Sequence, residues 1–177
     1  MSGFTLHALT AGQGILAISQ MPGRSGDYAA DLATVREWKP SYVLTMTPEA
    51  EMIPHGAMNF GAHMQDSGTR WAYLPTDDYG VLPEDLAAEW ARASAQCRAA
   101  LRGGGRVLIH CMGGCGRSGM AALRLLIEMG EDPEAALDRL RAKRPCAVET
   151  ARQLQWAMAG EKQPDPVPRS LSDIPQD

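Results

Sequence analysis

Residues 106–119, reading Arg-Val-Leu-Ile-His-Cys-Met-Gly-Gly-Cys-Gly-Arg-Ser-Gly, constrain the fold more than any other stretch. A short apolar run ends at His110, a glycine-rich loop opens at Cys111 and closes at Arg117, and a long apolar helix begins near Ser118. A strand that feeds a helix through such a loop aims backbone N–H groups and the positive end of the helix dipole at one point. Gly113, Gly114 and Gly116 let those amides turn inward where side chains would clash, and Arg117 offers a planar fork to two oxygens. The stretch is a cradle for a tetrahedral anion.

The rest of the chain supplies an α/β frame for that cradle. Strands are expected at residues 15–19, 42–46 and 70–74, with an edge strand at 4–9. Tyr28, Leu32, Val35 and Trp38 recur at helical spacing, and Lys39-Pro40 stops that helix just before the strand at 42–46. A helix feeding a strand in this way favours an α/β fold. Further helices are expected from Pro83 to about Arg102, over 121–129, from a cap at Asp132 with Pro133 in its first turn to Lys143, and over 148–159. Residues 47–68, broken by Pro48, Pro54, Gly56 and Gly61, allow a short helix around 58–65. Met46, Met52, Met58 and Met64 with His55 and His63 fit no metal geometry and read as core filler or a binding lip. Residues 1–159 are expected to form one domain, and 160–177 a polar, proline-rich, flexible tail.

With 177 residues, 45% of them hydrophobic and 21% charged, the chain has the composition of a soluble domain, and no apolar run approaches a membrane span. A net charge of −4 gives no general reason to expect nucleic-acid binding, although Arg139, Arg141, Lys143 and Arg144 gather locally. Residues 1–12 carry no signal-peptide pattern, so a cytoplasmic location is expected. Four cysteines in such a chain are expected as free thiols. Zinc is not expected, because Cys111 and Cys115 have no second Cys/His pair at ligand spacing. No other metal or cofactor is implied.

A thiol at the mouth of an amide-lined loop, near a guanidinium and a helix N-terminus, sits in a field that favours thiolate. Cys111 is thereby a candidate nucleophile toward a bound phosphate, with the loop amides and Arg117 stabilising the transferring oxygens.

Cys-X5-Arg-Ser, with His110 before it, resembles the signature of the protein tyrosine phosphatase superfamily. The stretches Ile18-Ser19-Gln20-Met21-Pro22-Gly23 and Arg144-Pro145 through Glu149-Thr150 to Gln153 are similar to the kinase-associated branch of its dual-specificity enzymes, and the resemblance covers about residues 15–158. It implies a cysteine-phosphatase fold: a central mixed sheet of four to five strands flanked by helices, with the phosphate-binding loop between a strand and a helix. It also implies a cysteinyl-phosphate mechanism in which Met112, Gly113, Gly114, Cys115, Gly116 and Arg117 hold the phosphate. Asp78 then serves as general acid and later as base, with Asp77 as the alternative, and Ser118 helps the thiolate leave or caps the helix. His110 and Gln153 take supporting roles, and Thr150 can cap the last helix.

Cys146 stands where that branch often has Gly, and Cys115 departs from the pattern inside the loop. Cys115 is expected to be an inert small side chain, the alternative being an oxidative partner of Cys111. The absence of Lys or Arg between Cys111 and Arg117 disfavours a phosphoinositide, so a phosphoprotein or phosphopeptide is the expected partner. No nucleic acid or membrane is expected, and the sequence leaves the oligomeric state open. Competing readings are a phosphate-binding pseudo-phosphatase, a phosphatase acting on a non-protein ester, and sulfur transfer of the rhodanese type.

Overall fold

The computed structural model describes residues 3–164. Most of the expected tail, residues 165–177, lies outside the described residues. Five strands form one mixed sheet in the order β1-β2-β5-β3-β4: β1 (His7–Ala11), β2 (Gly14–Ser19), β3 (Tyr42–Thr45), β4 (Arg70–Tyr73) and β5 (Arg106–His110). β1 and β2 are an antiparallel hairpin, and β2, β5, β3 and β4 run parallel.

The period-two alternation of these strands builds two cores. Leu16, Ile18, Leu44, Val107 and Ile109 face one layer, and Ala17, Val43 and Leu108 face the other. The second layer holds α1 (Tyr28–Trp38) and α3 (Phe60–Asp66), preceded by a short α2 (Glu49–Met52) and a 3-10 turn at Ile53–His55. The first holds α4 (Ala87–Arg102), α5 (Gly116–Glu128), α6 (Pro133–Lys143) and α7 (Ala151–Met158). Every residue of α5 except Arg124 is buried, so this helix is the inner post of the layer. Its one buried carboxylate, Glu128, accepts from Trp90 Nε1 and pairs with Arg98 and Arg124, so no unpaired charge is left there.

Local signals set several boundaries. Asp27 accepts from the Ala30 amide to start α1, Asp132 accepts from Ala135 to start α6, and Thr150 with Gln153 forms a capping box on α7. Several boundaries differ from expectation: β1 spans His7–Ala11 where an edge strand is expected at 4–9, and a 3-10 turn at Glu84–Leu86 precedes α4, which starts at Ala87 and not at Pro83. α5 begins at Gly116, so Arg117 and Ser118 already lie in its first turn. α7 begins only at Ala151, because Val148 sits at φ +66° and Thr150 is extended.

The expected core filling between residues 46 and 64 is largely as observed. Met46, Met52 and Met64 are buried, Met58 is exposed, and His63 Nδ1 pairs with the Tyr28 hydroxyl at 2.7 Å.

The cysteines depart from expectation. Cys115 is neither inert nor paired with Cys111: it is disulfide-bonded to Cys146, with Cα atoms 5.2 Å apart, while Cys97 and Cys111 are free and buried. α6 returns the chain to the N-terminal end of α5, bringing together two residues separated by 31 positions. Closing a loop of that length removes roughly 3–4 kcal/mol of entropy from the unfolded chain.

Candidate active site

The four parallel strands all release their chain at the same edge of the sheet. In parallel α/β sheets the crevice beyond the carboxyl ends is where loops from several strands converge. Here those loops deliver Arg24 after β2, Glu51 after β3, Asp78 after β4 and Cys111 after β5. β5 lies between β2 and β3, and His110 is in register with Ser19 on one side and Thr45 on the other.

His110 is fully buried, and burial pushes its pKa down to about 4, so the ring is neutral near pH 7. Its Nδ1 lies 3.2 Å from the Cys111 carbonyl oxygen and its Nε2 2.8 Å from Thr45 Oγ1. A carbonyl only accepts, so Nδ1 carries the proton and Nε2 accepts from the Thr45 hydroxyl. Thr45 Oγ1 in turn accepts from Trp71 Nε1 at 2.8 Å. This chain of donors from β4 through β3 to β5 fixes the backbone at Cys111 without placing a charge beneath it.

From Cys111 the loop turns into α5, and Cys111 Sγ lies 3.2 Å from Ser118 Oγ. Gly114 adopts φ +70°, and a Cβ there would come within 2.6 Å of the Ser19 and Gln20 backbone, so only glycine lets the loop lie against the end of β2. Met21 N donates to Met112 O at 3.1 Å, tying the turn after β2 to the loop. Arg144 donates to the Gly113 and Gly114 carbonyls at 3.0 and 3.2 Å, and Val148 N donates to Cys115 O at 3.2 Å. These bonds engage the carbonyls of Met112, Gly113, Gly114 and Cys115.

Arg117 is almost fully buried. Its guanidinium makes a two-pronged contact with Glu51 at 2.7 and 2.8 Å and donates to the Thr76 carbonyl at 2.9 Å. Burial works against its charge, but the hydrogen bonds to Glu51 and the nearby Cys111, Glu51 and Asp78 charges outweigh it and raise its pKa. Asp78 Oδ1 lies 3.4 Å from Arg117 Nη2 and accepts from the Tyr79 amide. Asp77 contributes its backbone, accepting from Gly80 N at 2.8 Å. Of the two candidate acids, Asp78 is the one whose carboxylate meets Arg117.

Gln153 is buried behind the acid loop. Its side-chain oxygen accepts from Glu149 N and Thr150 N, and its Nε2 donates to Gly80 O at 3.1 Å. It joins the start of α7 to the loop that carries Asp78 and makes no hydrogen bond to the cysteine.

The structure thus brings Cys111, Arg117, Ser118 and Asp78 together and places His110 and Gln153 behind them. Glu51 was not singled out in the sequence. Its signal was an acidic residue just beyond a parallel strand, on the side where site loops gather. Among the described residues no group of three or more His, Cys, Asp or Glu side chains is placed to hold a metal ion, and no helix is long and apolar enough to cross a membrane.

A family model described as protein-tyrosine phosphatase matches residues 79–160. No curated protein sequence matches the chain. Among solved structures, kinase associated phosphatase with its catalytic site cysteine replaced by serine superposes with a TM-score of 0.76 at 21% identity, covering 89% of this chain and 93% of that one. Tk-PTP in its active form gives 0.64 at 28% identity, covering 81% and 88%. PTPMT1 in complex with PI(5)P gives 0.65 at 17% identity, covering 85% and 91%. The mixed five-stranded sheet, the loop between β5 and α5 and these similarities agree: the chain has the fold of protein tyrosine phosphatases of the dual-specificity type, and residues 79–160 match the protein-tyrosine phosphatase model.

Proposed function

We propose that the protein is a cysteine-dependent phosphatase that hydrolyses phosphotyrosine, phosphoserine or phosphothreonine in a protein or peptide. The observation that carries this reading is the convergence on one buried guanidinium: Arg117 stands one residue from Ser118, which touches Cys111 Sγ, and meets the carboxylate of Asp78. A nucleophile, an oxyanion binder and an acid thereby share one crevice.

In this mechanism the phosphate sits in the amides of residues 112–117, with two oxygens on Arg117. The Cys111 thiolate attacks phosphorus and the ester P–O bond breaks. The electron pair leaves with the ester oxygen, which takes a proton from Asp78. Asp78, now a carboxylate, accepts a proton from a water that attacks the cysteinyl phosphate. The P–S bond breaks, and the Ser118 hydroxyl donates to the departing thiolate. Glu51 holds the guanidinium plane, and His110 and Gln153 position the two loops.

One observation supports a second reading, a phosphatase acting on a non-protein ester with more than one phosphate. Arg24 is exposed, and its Nη1 lies 3.4 Å from where a Cβ on Gly113 would stand, so a cation reaches the rim from outside the loop. The test is metal-free hydrolysis of a small aryl phosphate, followed by a panel of phosphopeptides and phosphoinositides. Preferred turnover of phosphopeptides supports the first reading and preferred turnover of phosphoinositides the second. No turnover of any ester leaves a phosphate-binding module.

A further inference from the structure

The side chains of Cys115 and Cys146 take no part in the chemistry proposed above, yet their disulfide fastens the phosphate loop to the segment between α6 and α7. Cys115 is the residue that caps the start of α5, and its carbonyl accepts from both Gly119 N at 2.9 Å and Val148 N at 3.2 Å. The segment it is tied to presses on the loop at several points. Arg144 holds the Gly113 and Gly114 carbonyls, Arg141 holds the Ala147 and Val148 carbonyls, and a Cβ on Gly119 would come within 2.6 Å of Val148 N. Val148 is a β-branched residue at φ +66°, a conformation that persists only where its surroundings impose it. The disulfide is the covalent part of that imposition.

Access separates this pair from the other thiols. Cys97 and Cys111 are buried, whereas Cys115 and Cys146 are both only partly buried. The disulfide thus joins residues nearer the surface than either free cysteine, which favours exchange there.

We propose that the Cys115–Cys146 disulfide is a redox modification site: a dithiol reductant opens it, and opening it loosens the α5 side of the phosphate loop and weakens anion binding there. A thiolate of the reductant attacks one sulfur, the Cys115–Cys146 bond breaks, and the other sulfur leaves as a thiolate that takes up a proton. The second thiol of the reductant then displaces the mixed disulfide. The protein gains two thiols and the reductant becomes its own cyclic disulfide, so electrons balance. The Arg144 and Val148 hydrogen bonds remain, so the loop loses rigidity and is not dismantled. A less preorganised loop binds its anion more weakly, by about three- to tenfold.

This proposal rests on the reading of residues 111–117 as a phosphate loop, and it is tested by binding so that it does not depend on turnover. The full-length Cys111→Ser protein is treated with oxidised or reduced dithiothreitol, freed of reagent under nitrogen, and titrated with inorganic phosphate by calorimetry. The unsubstituted protein is alkylated after denaturation and mapped by peptide mass. The expected results are one disulfide joining residues 115 and 146 in the oxidised sample, a three- to tenfold weaker phosphate affinity after reduction, and the weaker value in both buffers for Cys111→Ser/Cys146→Ser. Should that double variant not fold, the comparison of oxidised and reduced Cys111→Ser decides alone. Four alkylated thiols after oxidation, a 111–115 link, or equal affinities in the two states would overturn the tether. An inactive protein that shows the shift would sink the phosphatase reading alone, and an active protein without the shift would sink the tether alone.

Discussion

The two loops that meet at Arg117 are held in opposite ways. The phosphate loop is fastened from every side: by the buried His110–Thr45–Trp71 chain beneath Cys111, by Gly114 against β2, by Arg144 on two carbonyls and by a disulfide at Cys115. The loop that carries Asp78 has Asp77, Asp78 and Tyr79 exposed, and its ties are the Arg117 contacts at Thr76 and Asp78, the Gln153 bond at Gly80 and the Thr76–Met46 backbone bond. Oxyanion stabilisation needs dipoles fixed before charge develops, whereas a proton donor must adjust to leaving groups of different shape. In the proposed reaction the first loop suits preorganisation and the second adjustment.

Substitutions that separate the two loops test this contrast. Cys111→Ser should reduce aryl phosphate hydrolysis to background while leaving the folded state intact by circular dichroism, and retained turnover would break the assignment of the rigid loop. Asp78→Ala should slow kcat by roughly 100- to 1,000-fold for a substrate with a poor leaving group, and Asp77→Ala by less than about fivefold. Comparable losses at both positions would remove the distinction drawn between them.

The buried network under Cys111 makes a pH prediction. An unfolded His titrates near 6.5, but His110 in the folded protein titrates at about 4. Between those values the unfolded chain binds the extra proton, so stability falls as pH drops from about 6.5 toward 4 and the contribution is fully present above 6.5. The full loss is roughly 3 kcal/mol. Denaturant unfolding across that range should show the slope in the wild type and a smaller one in His110→Phe.

Glu51→Gln removes the charge opposite a nearly buried guanidinium. Because Glu51 is itself a quarter exposed, the expected destabilisation is about 2 kcal/mol, with a fall in kcat/KM as Arg117 loses its fixed plane. The smallest effect is expected at Gln153→Ala. It frees Gly80 from α7 and should lower kcat for poor leaving groups by about threefold while leaving inorganic phosphate affinity unchanged. A drop in phosphate affinity would mean that the two loops are coupled through Gln153.

Local chemistry made much of this legible in advance. The caps at Asp132 and Thr150, the helix 28–38 and the apolar runs of β2 and β5 are written in neighbouring residues, and so is the cradle at 111–118. What stayed hidden involves partners distant in sequence. Glu51 could be placed at Arg117 only once β3 and β5 were neighbours in the sheet. Trp71 and Thr45 read as ordinary strand residues until their register joined them to His110. Cys146 was visible as a departure from the family pattern, but the spacing between it and Cys115 carries no sign of a bond, and the free-thiol expectation failed for that reason.

By itself the sequence singled out the candidate nucleophile, its loop, the guanidinium and the short list of candidate acids, because a phosphate cradle is a local object of amides, glycines and one helix start. Tertiary structure decided which of the two aspartates meets Arg117, what pairs with that guanidinium and what braces the loop, because those depend on α6 bringing Cys146 back to Cys115 and on loops from parallel strands meeting at one edge. The opening cradle is half of a site, and the fold supplies the other half.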